Sequence, residues 1–459
     1  MNRRSTLTIS IALFATVSLS TAAVRRWHDR PQPNRTKAGP ERKPGSLRGD
    51  DKDQPNAYGI TPLMDASKRG ETEQVREMLA RGADVNLKDN EGRTALIDAA
   101  ANGRADIVKL LLAAGGDVNA KSKWGQSAFL SAGFISRIDL MDLLLANGAQ
   151  VTPYDYGVAM VRPALDGRKD VVEYLVSKGA DLNVNDGFGQ SALAAAIQND
   201  HNDIVQLLLD NSAQPNANGG AALAAASSQG NVEVVKLLLA RGADVNAKRE
   251  QDGQTALMNA SASGRADVVA LLLSAGADAN AKAKNDLTSY GAQTALIAAA
   301  TYSGNGETVH ELLAAGADIE ARDMHGETSL MAAARRGDID VVTALIKAGA
   351  NVNAIASQDN NTPLMNAASN GRTEVVRVLL HGGADANAKQ TSGYTALMFA
   401  ADRGYIDILR ELIRVRADVN ARTNNGDTAL TLATGKRKEI VGCLNLQARL
   451  ASVLFLMFT

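Results

Sequence analysis

An all-α solenoid of stacked helix–turn–helix units is predicted for this chain by three observations. A Thr-like residue recurs at Thr61, Thr94, Ser127, Val158, Ser191, Ala221, Thr255, Thr294, Thr328, Thr362, Thr395 and Thr428, at intervals of 30 to 39 residues and mostly 33 or 34. Each recurrence is followed by two short apolar-periodic segments with a turn between them. A glycine or its stand-in closes the second segment, and a polar, turn-rich stretch leads into the next unit. Self-similarity at such a period is the mark of a repeat array, in which each unit completes its core on its neighbours.

One unit illustrates why each element forms. In Thr94–Lys121, Thr94 is an N-cap, and Leu96, Ala99 and Ala100 then fall on one helical face. Thr61-Pro62 and Thr362-Pro363 add proline at the first helical position, where its missing N–H costs nothing. Asn102-Gly103 turns the chain, a second helix presents Ile107, Val108, Leu111 and Leu112, and Gly115 supplies a left-handed cap. Each helix is only two or three turns long, below the length at which isolated helices persist. The alanines allow neighbouring layers to approach closely, and the low aromatic content of 4% suits such thin layers.

These units resemble the ankyrin repeat. "TPLMDA", "TALMNA" and "TPLMNA" (from Thr61, Thr255 and Thr362) match the start of its T-P-L-H-x-A pattern, and "GADVN" at Gly82 and Gly242 matches its ending. The resemblance covers about twelve units across 58–459 and implies an ankyrin-type helix–turn–helix solenoid with short β-turn fingers. It departs from the pattern in one way: no unit has His at the fourth motif position, which holds Met, Ile, Leu, Val, Ala or Thr. That bears on the polar ties between turns and leaves the fold untouched.

Irregular units stand out against this frame. The fourth, "GVAMVRPALDGRKDVVEYL", has Val158 at the cap position and Pro163 inside its first helix, and Ser212 replaces the capping glycine of the fifth. Both defects predict a soft segment near 151–220. "AKAKNDLTSYGAQ" (281–293) makes an enlarged finger, and "TYSGNG" (301–306) is expected to widen a helix–helix turn. The last unit ends in the consecutive apolar residues Leu454 to Phe458, a tail suited to self-association or to an unusual cap.

The N-terminus is a separate region. Residues 1–24 hold Arg3-Arg4 before an uncharged run and a small-residue site at Thr21–Ala23, the layout of a signal peptide; Arg3-Arg4 with Leu7 also resembles a twin-arginine export signal. The expectation is export, with an uncleaved membrane anchor as the alternative. Residues 25–57 hold half of the ten prolines and no apolar period, as in a disordered basic linker. Residues 1–48 carry a net charge of +8, which gives a means of contact with anionic membrane, and the rest carries −9. An acidic body argues against nucleic acid as a partner.

No catalytic constellation is present in the sequence. Five scattered histidines and the lone Cys443 offer no metal set, and His310-Glu311 has Ala314 where a zinc motif needs its second His. Recurrent Asp84, Asp117, Asp181, Asp244, Asp278, Asp318 and Asp385 are assigned to turns. The reading is a non-catalytic interaction scaffold without cofactors, binding a partner protein through its fingers and the concave first-helix surface. Candidate contact residues are the finger aromatics Trp124, Tyr154, Tyr156, Phe188, Tyr290 and Tyr394, with Arg335 and Arg336 at the end of a first helix. The alternatives are a membrane-tethered spacer or self-assembling element, and a dedicated enzyme inhibitor.

Overall fold

The computed structural model describes residues 53–187, 189–249, 252–284, 294–433 and 442. The export segment, most of the linker, Phe188, Tyr290, the enlarged finger beyond Lys284, Cys443 and the apolar tail lie outside the described residues. Among the described residues there are twelve first helices, from Pro62–Arg69 to Ala429–Leu432, and eleven second helices, from Thr72–Ala80 to Ile406–Arg414. No strand occurs among them beyond an isolated bridge between Asn185 and Ser191. The chain divides into two compact units: one runs to Pro163 and resumes at Asp170–Ala192, and the other comprises Ala164–Lys169 and everything from Leu193.

The local rules act as the sequence predicts in the regular repeats. Thr94 Oγ1 accepts from Ile97 N, and Thr255, Thr362 and Thr395 cap their helices in the same way. Leu96, Ala99, Ala100, Ile107, Val108 and Leu111 are fully buried, so the alternation of small and large side chains builds one thin core layer per repeat. Gly115 is left-handed at φ 82°, and Ser212 keeps that conformation at φ 71° without glycine's freedom.

Polar ties between repeats run along the turns. Asn86 Nδ2 donates to Gly115 O at 3.1 Å while its Oδ1 accepts from Asp117 N at 2.7 Å. Asn119, Asn246, Asn280 and Asn353 bridge to their next repeats in the same two-bond pattern. Asp53 holds the corresponding place at the first repeat, accepting from Asp84 N at 3.0 Å, and Glu320 does so for Asn351 N at 2.8 Å. The recurrent aspartates accept from the amide two residues on, as Asp84 does from Asn86 N, which is the turn role assigned to them. This asparagine ladder connects the turns in a chain that lacks the motif histidine.

Two expectations need correction. The fourth unit's helix starts at Pro153, not near Val158, and runs to Leu165. Thr152 and Asp155 cap it reciprocally: Asp155 N donates to Thr152 Oγ1 at 3.2 Å, and Asp155 Oδ2 accepts from Thr152 N at 2.9 Å. Likewise the sixth unit's helix is Ala217–Gln229, beginning straight after Asn216. In both repeats the helix begins at the ladder position and the finger is absorbed into it, which explains the two shortest intervals. Gly157 is required by this geometry, since a Cβ there would sit 2.1 Å from Asp181 O. Pro163 lies inside this helix, as the sequence predicts, and forgoes the hydrogen bond that an N–H there would make to the Ala159 carbonyl. Second, "TYSGNG" does not widen the turn. The extra residue is taken up inside the first helix as a π-helical turn, Ala299–Ser303.

Candidate functional site

The fingers of the first unit are tight turns whose second central residue precedes a left-handed glycine. Gly92 N donates to Asp89 O, Gly125 N to Ser122 O and Gly59 N to Asn56 O, at 2.9–3.0 Å. Side-chain oxygens brace the turns: Asp89 Oδ1 accepts from Glu91 N and Arg93 N, and Ser122 Oγ from Trp124 N and Gln126 N. Neighbouring fingers are linked tip to tip by backbone bonds, Asn90 N to Tyr58 O at 3.0 Å and Lys123 N to Glu91 O at 2.8 Å. In the second unit the same link joins Lys284 to Asp252, Ser357 to His325, Thr391 to Asp359 and Asn424 to Ser392. The residue before the glycine is thus held on a rigid backbone with its side chain outward.

In the first unit these tips carry Tyr58, Glu91 and Trp124, and the sequence places Phe188 at the same position of a fourth. Trp124 is 71% exposed and Tyr58 57%. The Trp124 indole N–H donates to Glu91 Oε2 at 2.8 Å across the repeat boundary, so the ring is oriented although it is exposed. Tyr58 was not among the expected contact residues; its place three before Thr61, matching Trp124 before Ser127, is the signal that identifies it.

The other candidates occupy varied environments. Tyr154 and Tyr156 are not in a finger but in the first two turns of the Pro153–Leu165 helix, for the capping reason given above. Tyr154 is 57% exposed. Tyr156 packs edge-on against buried Phe129 of the preceding repeat, with centroids 5.4 Å apart, and burial raises its phenol pKa. Tyr394 is half-buried and leans on Phe399 at 5.2 Å. Arg335 Nη1 donates to both carboxylate oxygens of Glu327, at 2.7 and 2.9 Å. Arg336 turns back onto the π-helical turn, bonding Thr301 O, Tyr302 O and Ser303 O, and pairs with Asp338. The carbonyls that a π-helix leaves open thus find a donor in the next repeat.

A buried ion pair on a first helix was not expected. Asp98 is nearly inaccessible and pairs with Arg93. Burial pushes its carboxyl pKa up, outweighing the attraction of Arg93. Among the described residues no group of His, Cys, Asp and Glu is arranged to hold a metal ion, and no helix is long and apolar enough to cross a membrane.

Fold and surface define a helical repeat protein whose rigid fingers present side chains along a row, the arrangement that repeat proteins use to offer extended contact surfaces. Sequence models described as ankyrin repeats (3 copies) match residues 46–122, 63–155, 99–186, 160–249 and 296–390. Ankyrin repeats (many copies) match 381–433, and a single ankyrin repeat 252–284. The chain belongs to the ankyrin repeat family. It is 37% identical over 93 residues to the NF-kappa-B p105 subunit of Rattus norvegicus, covering 19% of this chain and 10% of that protein. It is 36% identical over 96 residues to the ankyrin repeat and KH domain-containing protein mask-1 of Caenorhabditis elegans, covering 20% and 4%. It is also 38% identical over 81 residues to the probable E3 ubiquitin-protein ligase XBOS33 of Oryza sativa subsp. japonica, covering 17% and 16%. The chain therefore spans a small part of each of these relatives. Among solved structures, the ankyrin repeat domain of Bcl-3, a member of the IkappaB protein family, aligns with TM-score 0.42 and 29% identity over 49% of this chain and 97% of that one. The human ASB11 ankyrin repeat domain gives TM-score 0.43 and 27% identity over 49% and 96%.

Proposed function

We propose that this protein is a non-catalytic protein–protein interaction scaffold, and that the finger row of its first unit is the principal contact surface. The observation that carries the proposal is Trp124, broadly exposed yet fixed by its bond to Glu91. A large ring ordered before binding loses little side-chain freedom on contact, and such rings dominate binding energy. Tyr58 extends the row, and Tyr154, exposed on the Pro153–Leu165 helix of the next repeat, is a further candidate of the same unit. Tyr394, Arg335 and Arg336 stay candidates in the second unit, with much of each side chain already engaged within the array.

The test is in-cell crosslinking of the full chain beside a Trp124→Ala variant, with a His325→Ala fingertip control. A partner captured by the wild type and the control but lost in the Trp124 variant supports the reading. Equal capture by all three removes Trp124 from the interface. Export directed by residues 1–24 is part of the same proposal, supported by Arg3-Arg4, the uncharged run and the small-residue site. Sequencing the N-terminus of the mature protein tests it: a start near Ala23 or Val24 agrees, and a retained Met1 or Asn2 contradicts it.

A further inference from the structure

A group that covers the Trp124 ring also takes water from the Glu91 carboxylate, because the two side chains are joined at 2.8 Å. Both are exposed in the free chain. Glu91 Oε2 accepts from the indole N–H, which leaves Oε1 outside that bond. Cations close by in sequence are committed elsewhere: Arg93 pairs with Asp98, and Lys121 with Asp155. Lys123 meets Glu91 through its backbone N–H, which donates to Glu91 O. The carboxylates at second-unit tips are occupied differently. Asp252 pairs with Arg249, and Asp359 accepts from Asn361 N within its own turn.

This placement restricts what can bind. An apolar partner residue laid on the ring would leave the Glu91 charge desolvated and unpaired, which offsets much of the gain from covering the indole. A phosphate or carboxylate would meet a like charge. A cation gains from both groups, since the ring quadrupole attracts it and Glu91 neutralises it. Arginine suits the pair better than lysine. Its planar guanidinium stacks on an aromatic face while the N–H groups at its edge donate to a carboxylate, whereas an ammonium is a compact, strongly hydrated point charge.

We infer that Trp124 and Glu91 together form an arginine-recognition site, and that the partner of the finger row presents an arginine there. This rests on the contact surface proposed above and names the chemistry of what it binds. Tyr58, exposed at the next tip on the other side of Glu91, supplies a second ring for residues flanking that arginine.

The probes are N-acetyl-arginine N-methylamide and its citrulline counterpart, which has nearly the same shape and no charge. Each is titrated into the full chain at constant ionic strength. Trp27, the only other tryptophan, is changed to Phe so that the indole N–H resonance reports Trp124 alone. The arginine probe should shift that resonance saturably, and the citrulline probe should leave it in place. Glu91→Gln keeps an oxygen to hold the indole N–H and removes the charge. It should weaken arginine binding about threefold, the worth of an exposed charge pair. Equal shifts from the two probes, or arginine binding unchanged by Glu91→Gln, overturn the inference. A lysine probe that binds as tightly as the arginine one overturns the choice of guanidinium. Partner capture lost in Trp124→Ala but untouched by Glu91→Gln would leave the proposed function standing and remove only the arginine. Arginine binding as expected, without any Trp124-dependent capture, would keep the recognition site and remove the proposed function.

Discussion

The fingers of the first unit and those after Leu193 share one backbone and differ at one side chain. In both, an Asp, Ser, Gln or equivalent braces the turn, a left-handed residue, glycine at every finger but Asn360's, closes it, and backbone bonds tie neighbouring tips. Among the described residues, the first unit places Tyr58, Glu91 and Trp124 at the tip; the second places Asp252, His325, Asp359, Ser392 and Asn425. A framework that fixes main chain and leaves the tip unconstrained by packing lets contact chemistry change without cost to the fold. Surface aromatics have no structural reason to be there, whereas polar tips are what solvent favours. The proposed contact surface rests on that contrast.

Affinity should show the largest difference between the two sets of tips. Trp124→Ala is expected to cost about 2 kcal/mol, or roughly thirtyfold in partner affinity. His325→Ala and Ser392→Ala should leave affinity unchanged, as titration of the captured partner would show. A comparable loss from a second-unit tip would break the comparison.

The shared framework should respond alike in both units. Asn86→Ala and Asn246→Ala each remove one donor and one acceptor between repeats, and each should cost ~1–3 kcal/mol. Urea unfolding followed by hydrogen exchange would reveal whether one unit tolerates the loss. Thr152→Ala breaks the reciprocal cap of a fingerless helix and should cost ~1 kcal/mol, with faster exchange confined to the Pro153–Leu165 helix. That measurement also tests whether the segment near 151–220 is softer than its neighbours.

Much of this was legible in the sequence, and the exceptions share a cause. Period, caps, the buried Leu, Val and Ala positions and the turn role of the aspartates follow from residue type alone. The start of a fingerless helix is invisible to a period keyed to the threonine position. Thr152-Pro153-Tyr154-Asp155 is itself a capping signature, and the short intervals before Val158 and Ala221 were its second sign. Whether Ala299–Ser303 becomes a π-turn or a longer loop is a contest between nearly equal backbone solutions. It is settled by contacts such as Arg336 reaching from the next repeat, which no local pattern contains. Tyr156 was expected in a finger for the same reason, since its packing on Phe129 depends on where the helix begins.

Smaller effects concern individual residues. Arg416 holds φ 64° where every other repeat but that of Ser212 places glycine, so Arg416→Gly should raise stability by up to ~1 kcal/mol in thermal unfolding. Asp98 keeps its proton in the fold above its ordinary value of 3.8. Its contribution is therefore most favourable below that pH and is lost as pH rises through the raised folded value. The difference in unfolding free energy between the wild type and Asp98→Asn should move in that direction with pH. A flat difference would contradict the burial argument.

Hydrogen exchange of the full chain with and without its captured partner tests the central claim most directly. The amides of Asn90, Lys123 and Trp124 should gain protection on binding, while those of Ser357, Thr391 and Asn424 at the corresponding second-unit fingers stay as they are. Protection confined to the second-unit fingers, or absent from both, would contradict the assignment of contact to the aromatic tips.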